Sequence, residues 1–226
     1  MTDPSDTALL DFVDARNRMV DSQIRPNKVT DPRILAAMRR IARERFVPAA
    51  AAALAYADED VPLGQGRVLT EPMVIARLIQ LAAPLAGERA LVVAAGAGYG
   101  AAVLAGCGVH VTALEDVPEL LALARRALAT EAPDVDLVSG PLSAGWAGGA
   151  PYDIILIEGA VRDIPASIAA QLREAAGRLV TVRTLTGNVG QAILAERTGA
   201  GLRARPAFDC ATPLIPGLLP APSFVF

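Results

Sequence analysis

The sequence predicts an α/β fold, in which a mostly parallel central sheet carries helices on both faces and a helical extension precedes it. Three observations predict this. Short apolar runs at 91–93, 154–157 and 179–182 alternate with helical patterns, as the strands and crossover helices of a parallel sheet do. The stretch from Ala90 to Glu115 reads as strand, glycine turn, helix and second strand. Residues 1–60 carry apolar residues at helical rather than alternating spacing.

In the extension, Leu9, Phe12, Val13, Met19 and Val20 recur on one helical face, and Arg25-Pro26 ends that helix. Thr30-Asp31-Pro32 starts a second helix, with a capping side chain followed by proline in the first turn. Ile34, Leu35, Met38 and Ile41 supply its apolar face, and Phe46-Val47-Pro48 closes it. The alanine-rich run 48–57 fits either a short helix or a buried connector. Residues 58–72, with two glycines and two prolines, are expected to form a polar loop. A helix begins at Pro72 and buries Val74, Ile75, Leu78, Ile79 and Leu81.

After the Ala90–Glu115 unit, a helix is expected over Pro118–Leu128, with Arg125 and Arg126 near the end that favours cations. Strands follow at Val135–Val138 and Ile154–Ile157, separated by a glycine-rich loop that carries Trp146. A helix over Pro165–Ala175 stops at Gly177, and Leu179–Val182 is a strand. Gln191–Arg197 and Pro222–Phe226 read as late strands, the second within an apolar tail that either closes the sheet or offers a docking surface. Residues 1–60 are taken as the helical extension and 61–226 as one compact domain.

With 226 residues, 53% of them apolar and 20% charged, the chain can bury a substantial core. A net charge of −3 gives no general attraction to nucleic acid or to an anionic membrane. The uncharged run 90–114 is long enough to suggest a membrane span, but its glycines and its changes of period argue against one continuous helix. The first residues lack the basic start and apolar core of a signal peptide, so a cytoplasmic protein is expected. Cys107 and Cys210 have no metal-ligand spacing and suit a reducing compartment. The lone histidine, His110, lies in an apolar strand and is expected to be structural.

The chemistry of the chain centres on Gly96, Gly98, Gly100 and Glu115. A glycine turn between a strand and a helix presents backbone N–H groups and a helix N-terminus to an anionic group. An acid at the tip of the following strand can accept from the hydroxyls of a ribose. A nucleoside-cofactor site is therefore expected, although the glycines also suit close helix–strand packing. Gly96, Gly98 and Ala101 satisfy the dinucleotide pattern G-x-G-x-x-G/A, so an NAD enzyme stands as one alternative.

A longer set of motifs bears on the choice. MVDSQIRPNKVTDPRILAAM (19–38), RFVP (45–48), AYADEDVPLGQGRVLTEPMVIARLIQL (55–81), AGYGAAVLA (97–105), LEDVPELLALARRAL (114–128), APYDIILIEGAV (150–161) and IPASIAAQLREAAGRLV (164–180) occur in order. From about Met19 to Val182 the chain resembles the protein-L-isoaspartate O-methyltransferase family. That resemblance implies a Rossmann-like class I methyltransferase fold and S-adenosylmethionine as cofactor. The implied substrate is an isoaspartyl-containing peptide or protein, methylated on its α-carboxyl. Gly96, Gly98 and Tyr99 match the cofactor loop, Glu115 matches the acid that holds the ribose, and Thr70 stands where a serine lies close to the transferred methyl. Thr70 could instead cap the Pro72 helix, and Glu115 could be a solvated acid at a helix start.

Departures accompany the match. The family generally has an acid in its first strand and a glycine two residues later, where this chain has Val92 and Ala94. Its adenine-contacting aspartate is replaced by Pro141 after Gly140, and a histidine in the substrate loop by Gln65. Each such loss removes a hydrogen-bonding group worth about 1–3 kcal/mol when its partner is left unpaired. Cofactor binding is thus the vulnerable step, and Asp116, Ser139 and Ser143 are candidate replacements near the adenine. Two alternatives follow: a methyltransferase-fold protein that acts only through partner binding, or a methyltransferase with another acceptor.

Overall fold

The computed structural model describes residues 4–184, 189–199 and 201–219. The strand expected at Pro222–Phe226 lies outside them. Helix α1 (Pro4–Met19) continues into a π-helical turn over Val20–Ile24, just before the expected stop at Arg25-Pro26. Asp31 caps α2 (Pro32–Arg40), its side chain accepting from the Arg33 N–H. The alanine-rich run forms a 3-10 helix over Ala49–Leu54, and Ala55 and Tyr56 behind it are buried.

Residues 58–72 depart from the expected loop. They form a hairpin of β1 (Val61–Gly64) and β2 (Arg67–Leu69). Val61 and Leu69 are buried and paired across it, and Gly64, Gln65 and Gly66 all take positive φ in the turn. Two glycines beside one tolerant polar residue supply the left-handed conformations that a tight reversal needs.

The central sheet has seven strands in the order β5-β4-β3-β6-β7-β8-β9. These are β3 (Arg89–Val93), β4 (His110–Glu115), β5 (Asp136–Ser139), β6 (Ile154–Val161), β7 (Arg178–Arg183), β8 (Gly190–Thr198) and β9 (Gly201–Cys210). The first five in that order run parallel, whereas β8 and β9 are antiparallel additions at one edge. Helix α3 (Pro72–Ala82) leads into β3, α4 (Tyr99–Gly106) joins β3 to β4, and α5 (Pro118–Glu131) joins β4 to β5. The chain leaves β3 towards β4 and returns on its other side as β6. The C-terminal ends of β3 and β6 therefore flank the switch point, where open α/β sheets bind ligands.

Alternation along the strands fills the two faces unequally. Ala90, Val92, Ile154 and Leu156 pack towards Ile75 and Leu78 of α3, Ala101 of α4 and Ala124 of α5. The same core takes in Met19, Ile34, Met38 and Phe46 from the extension. Leu91, Val93, Ile155 and Ile157 face the other way, onto Leu142, Ile168, Leu172 and Ile215. The helix on that face, α6, spans only Ala166–Ala169 rather than the expected Pro165–Ala175. Residues 171–173 are drawn out of helical geometry by pairing with Tyr152, whose N–H donates to Gln171 O and whose carbonyl accepts from Arg173 N.

Strand β9 was not marked by the sequence pattern, because Arg203, Ala204, Arg205 and Pro206 are exposed and show no alternation. Of the apolar tail, Leu214 forms one bridge with Ala160, and Ile215 is buried beside Gly159. His110 opens β4 on the surface rather than inside the apolar run. Cys107 and Cys210 are free thiols, and burial pushes both up to about 11, far from reactive thiolates.

Candidate cofactor site

The turn after β3 is built from small residues with unusual backbone. Ala94, Gly96 and Gly98 have φ of 59°, 58° and 94°, and Gly98 is the N-cap of α4. Gly98 is required by packing as well as by conformation, since a Cβ there would meet Leu128 Cδ1 at 3.0 Å. Gly100 has even less room, since a Cβ there would collide with Glu158 Oε2. Gly96 differs: its Cβ position faces the hairpin at ordinary contact distance, 3.5 Å from Leu63 Cδ1.

Glu115 ends β4 beside this turn and is fully buried. Its carboxylate accepts from Gly96 N at 2.7 Å, Asp116 N at 3.0 Å and Val117 N at 3.1 Å. Arg67 Nη1 lies 3.0 Å from both carboxylate oxygens, while Nη2 donates to Ala94 O. Burial pushes the Glu115 carboxyl upward from its ordinary range; Arg67 and the three backbone donors oppose that push. Breaking such a buried pair by removing one partner costs about 3–5 kcal/mol.

Beside Arg67 opens a cavity of 430 Å³ lined by Gln65, Arg67, Asp116, Val117, Pro118, Glu119, Pro216 and Gly217. It borders the end of β4 and the N-terminus of α5. Asp116 is therefore the one of the three candidate adenine contacts that lines it. Ser139 ends β5, and Ser143 accepts from the Ser167 hydroxyl through its backbone carbonyl.

A second group of polar side chains lies behind the hairpin. Thr70 is buried and its Oγ1 has no hydrogen-bond partner; the cap of α3 is Glu71, so Thr70 caps nothing. Arg43, wholly buried, donates from Nη2 to Thr70 O at 2.6 Å and from Nε to Ala55 O at 2.6 Å. Its guanidinium stacks 4.6 Å from the ring centre of Tyr99, which also meets Phe46 edge-on at 5.4 Å. The Tyr99 ring is thus turned into the core and does not line the cavity. Glu158, inside the apolar run of β6, leaves Oε2 without a partner, and burial pushes its carboxyl up to about 8 against the pull of Arg67 and Arg43.

Comparison with known proteins fits this geometry. The family model described as Protein-L-isoaspartate(D-aspartate) O-methyltransferase matches residues 14–199. The chain belongs to that family. It is 43% identical over 170 residues to a protein-L-isoaspartate O-methyltransferase of Methylorubrum extorquens (strain PA1), covering 75% of this chain and 74% of the relative. It is 36% identical over 188 residues to protein-L-isoaspartate O-methyltransferase 2 of Marinobacter nauticus, covering 83% and 85%. Among solved structures, a protein-L-isoaspartate O-methyltransferase superposes with a TM-score of 0.77 at 22% identity, over 90% of this chain and 67% of that one. A putative family member from Plasmodium falciparum, in complex with S-adenosyl-L-homocysteine, superposes with a TM-score of 0.73 at 16% identity over 87% and 96%. The Rossmann-like class I methyltransferase fold follows, and the NAD alternative falls away.

Of the residues singled out in the sequence, the structure brings Gly96 and Glu115 together at the C-terminal ends of β3 and β4. Gly98 is held by packing, Tyr99 faces the extension, and Thr70 lies behind the hairpin. Sequence reasoning missed Arg67 and Glu158. An acid inside the apolar run IILIEGAV was a signal for Glu158. Nothing in a polar stretch marked Arg67 as a buried partner of an acid 48 positions away. Among the described residues no group of His, Cys, Asp and Glu could hold a metal ion, and no helix is long and apolar enough to cross a membrane.

Proposed function

We propose that the chain transfers a methyl group from S-adenosylmethionine to the carboxylate of isoaspartyl residues in damaged proteins. The observation that carries this is Glu115, buried at the end of β4 beside the Gly96 turn, in a chain whose residues 14–199 match the family. The residues suit the cofactor in chemical kind. Glu115 and Ala94 O are acceptors for its donors, the turn approaches without side chains at Gly96 and Gly98, and Thr70 offers a buried hydroxyl with no partner. When bound, the cofactor supplies an electrophilic methyl on a sulfonium. The acceptor carboxylate is already ionised at neutral pH, so this chain needs no strong base. Its work is to align the two and to keep water out.

In this reading Thr70 orients the acceptor through Oγ1, and the hairpin of β1 and β2 covers the reacting groups. Tyr99 contributes at the N-terminus of α4 through its backbone, its ring serving to fix that helix on the extension. Residues 1–60 act as an accessory layer behind the hairpin, tied to it by Arg43. Cofactor affinity is proposed to be low, because Val92 and Pro141 bring no polar side chain to the site and Ala94 adds a methyl group where a glycine is expected. The protein is proposed to work in the cytoplasm, on proteins rather than on nucleic acid or membranes.

The test is transfer of labelled methyl from S-adenosylmethionine to an isoaspartyl peptide and to its aspartyl isomer. Label on the isoaspartyl form alone supports the reading. A folded protein that binds the cofactor and labels neither would have a different acceptor. The ion pair closing Glu115 favours a second reading, a fold retained for partner binding, and failure to bind S-adenosylhomocysteine at millimolar concentration would select it.

A further inference from the structure

This inference rests on the cofactor reading above and adds a residue to it. Four groups donate to Glu115, and three of them are backbone N–H groups fixed by the turns at Gly96 and at Asp116-Val117. The fourth, Arg67, belongs to a two-stranded hairpin that is not part of the seven-stranded sheet. It is the donor that can leave without unfolding the core. Arg67 Nη1 stands 3.0 Å from both carboxylate oxygens, so one cationic nitrogen occupies the face on which the two hydroxyls of a ribose would donate. Arg67 also satisfies Ala94 O, at the end of β3 on the same turn. One side chain thus fills both acceptors that the site holds out to a ligand rich in donors.

We propose that Arg67 is a displaceable internal stand-in for the ribose diol, so that release of this one side chain sets cofactor affinity. The surroundings allow the release. Arg67 borders the 430 Å³ cavity, where the carboxylates of Asp116 and Glu119 also stand, so a departing guanidinium meets acids rather than apolar surface. Leu63, whose Cδ1 lies over Gly96, moves with the same hairpin and uncovers the turn. Only molecules with Arg67 released are competent to bind, and apparent affinity falls by the fraction released.

The experiment is calorimetric titration of S-adenosylhomocysteine into the wild-type chain and into Arg67→Ala and Arg67→Lys, each shown to be folded by its thermal melt. Arg67→Ala is expected to bind at least about ten-fold more tightly than wild type. Arg67→Lys is expected between wild type and the alanine variant, since one ammonium can still bridge the two oxygens but loses the separate donation that Nη2 makes to Ala94 O. Equal affinity in all three would overturn the inference and leave the cofactor reading standing. Weaker binding by Arg67→Ala would also overturn it, because Arg67 would then hold the ligand itself. No binding by any folded variant would remove both. Amide hydrogen exchange on the wild-type chain needs no variant to fold. Saturating S-adenosylhomocysteine is expected to reduce protection across residues 61–69, and unchanged or increased protection there would refute the release.

Discussion

Glu158→Gln isolates the electrostatic cost of a buried acid in the site that has no ion-pair partner among the described residues. Glu158 sits where β6 meets the switch point, against Gly100 and Ile75, with Oε2 unpartnered. Burial raises its carboxyl from 4.5 to about 8 despite the pull of Arg67 and Arg43 and with repulsion from Glu115 and Asp60. At about 1.4 kcal/mol per unit, that shift corresponds to about 5 kcal/mol between the folded and unfolded chains. The folded chain keeps the proton where the unfolded chain has lost it. Stability is therefore greatest below the unfolded value and declines as pH rises towards about 8. Glutamine keeps the shape and cannot ionise. The variant should exceed wild type by about 1 kcal/mol at pH 5 and by about 4 kcal/mol at pH 8. Urea unfolding followed by circular dichroism at several pH values measures the difference. A gain that stays constant from pH 5 to 8 would refute the argument, since only a group titrating in that window makes it grow.

Thr70→Val removes a buried hydroxyl that bonds to nothing, so stability should change by less than about 1 kcal/mol while methyl transfer to an isoaspartyl peptide falls sharply. Unchanged turnover would deny the hydroxyl its role. Ala94→Gly relieves a φ of 59° and should stabilise the fold by about 1 kcal/mol in the same urea assay, whereas a loss would show that the methyl group packs usefully. Gly98→Ala forces a Cβ to 3.0 Å from Leu128 at a φ of 94°, so a loss of about 1–3 kcal/mol is expected. Wild-type stability in that variant would refute the packing account of the glycine.

The parts of this fold that the sequence made legible are those governed by local periodicity. The unit from β3 to β4 is recognisable because its strands are short and apolar, and because its glycines interrupt two different periods. Glu115 was legible for the same reason, as a charge at the end of an alternating run. The hairpin was not, because two of the four residues of β1 are a proline and a glycine, and only the pairing of Val61 with Leu69 shows what it buries. Helix α6 read as longer than it is because its last residues are drawn off to bridge Tyr152, a contact invisible to periodicity. The ring of Tyr99 followed the extension rather than the cofactor loop: Arg43 and Phe46, more than fifty positions earlier, form its pocket. Side-chain partners across such separations are set by tertiary packing, which is also why the pairing of Arg67 with Glu115 left no trace in the order of residues.

The central claim is that the acid at the end of β4 is a ribose acceptor held closed by Arg67. A crystal structure of the chain with S-adenosylhomocysteine tests it most directly. The account predicts both Glu115 oxygens on the ribose hydroxyls, the adenosine in the cavity beside Asp116, and Arg67 withdrawn from Ala94 O. A ligand bound elsewhere, with the Arg67–Glu115 pair still in place, would contradict it.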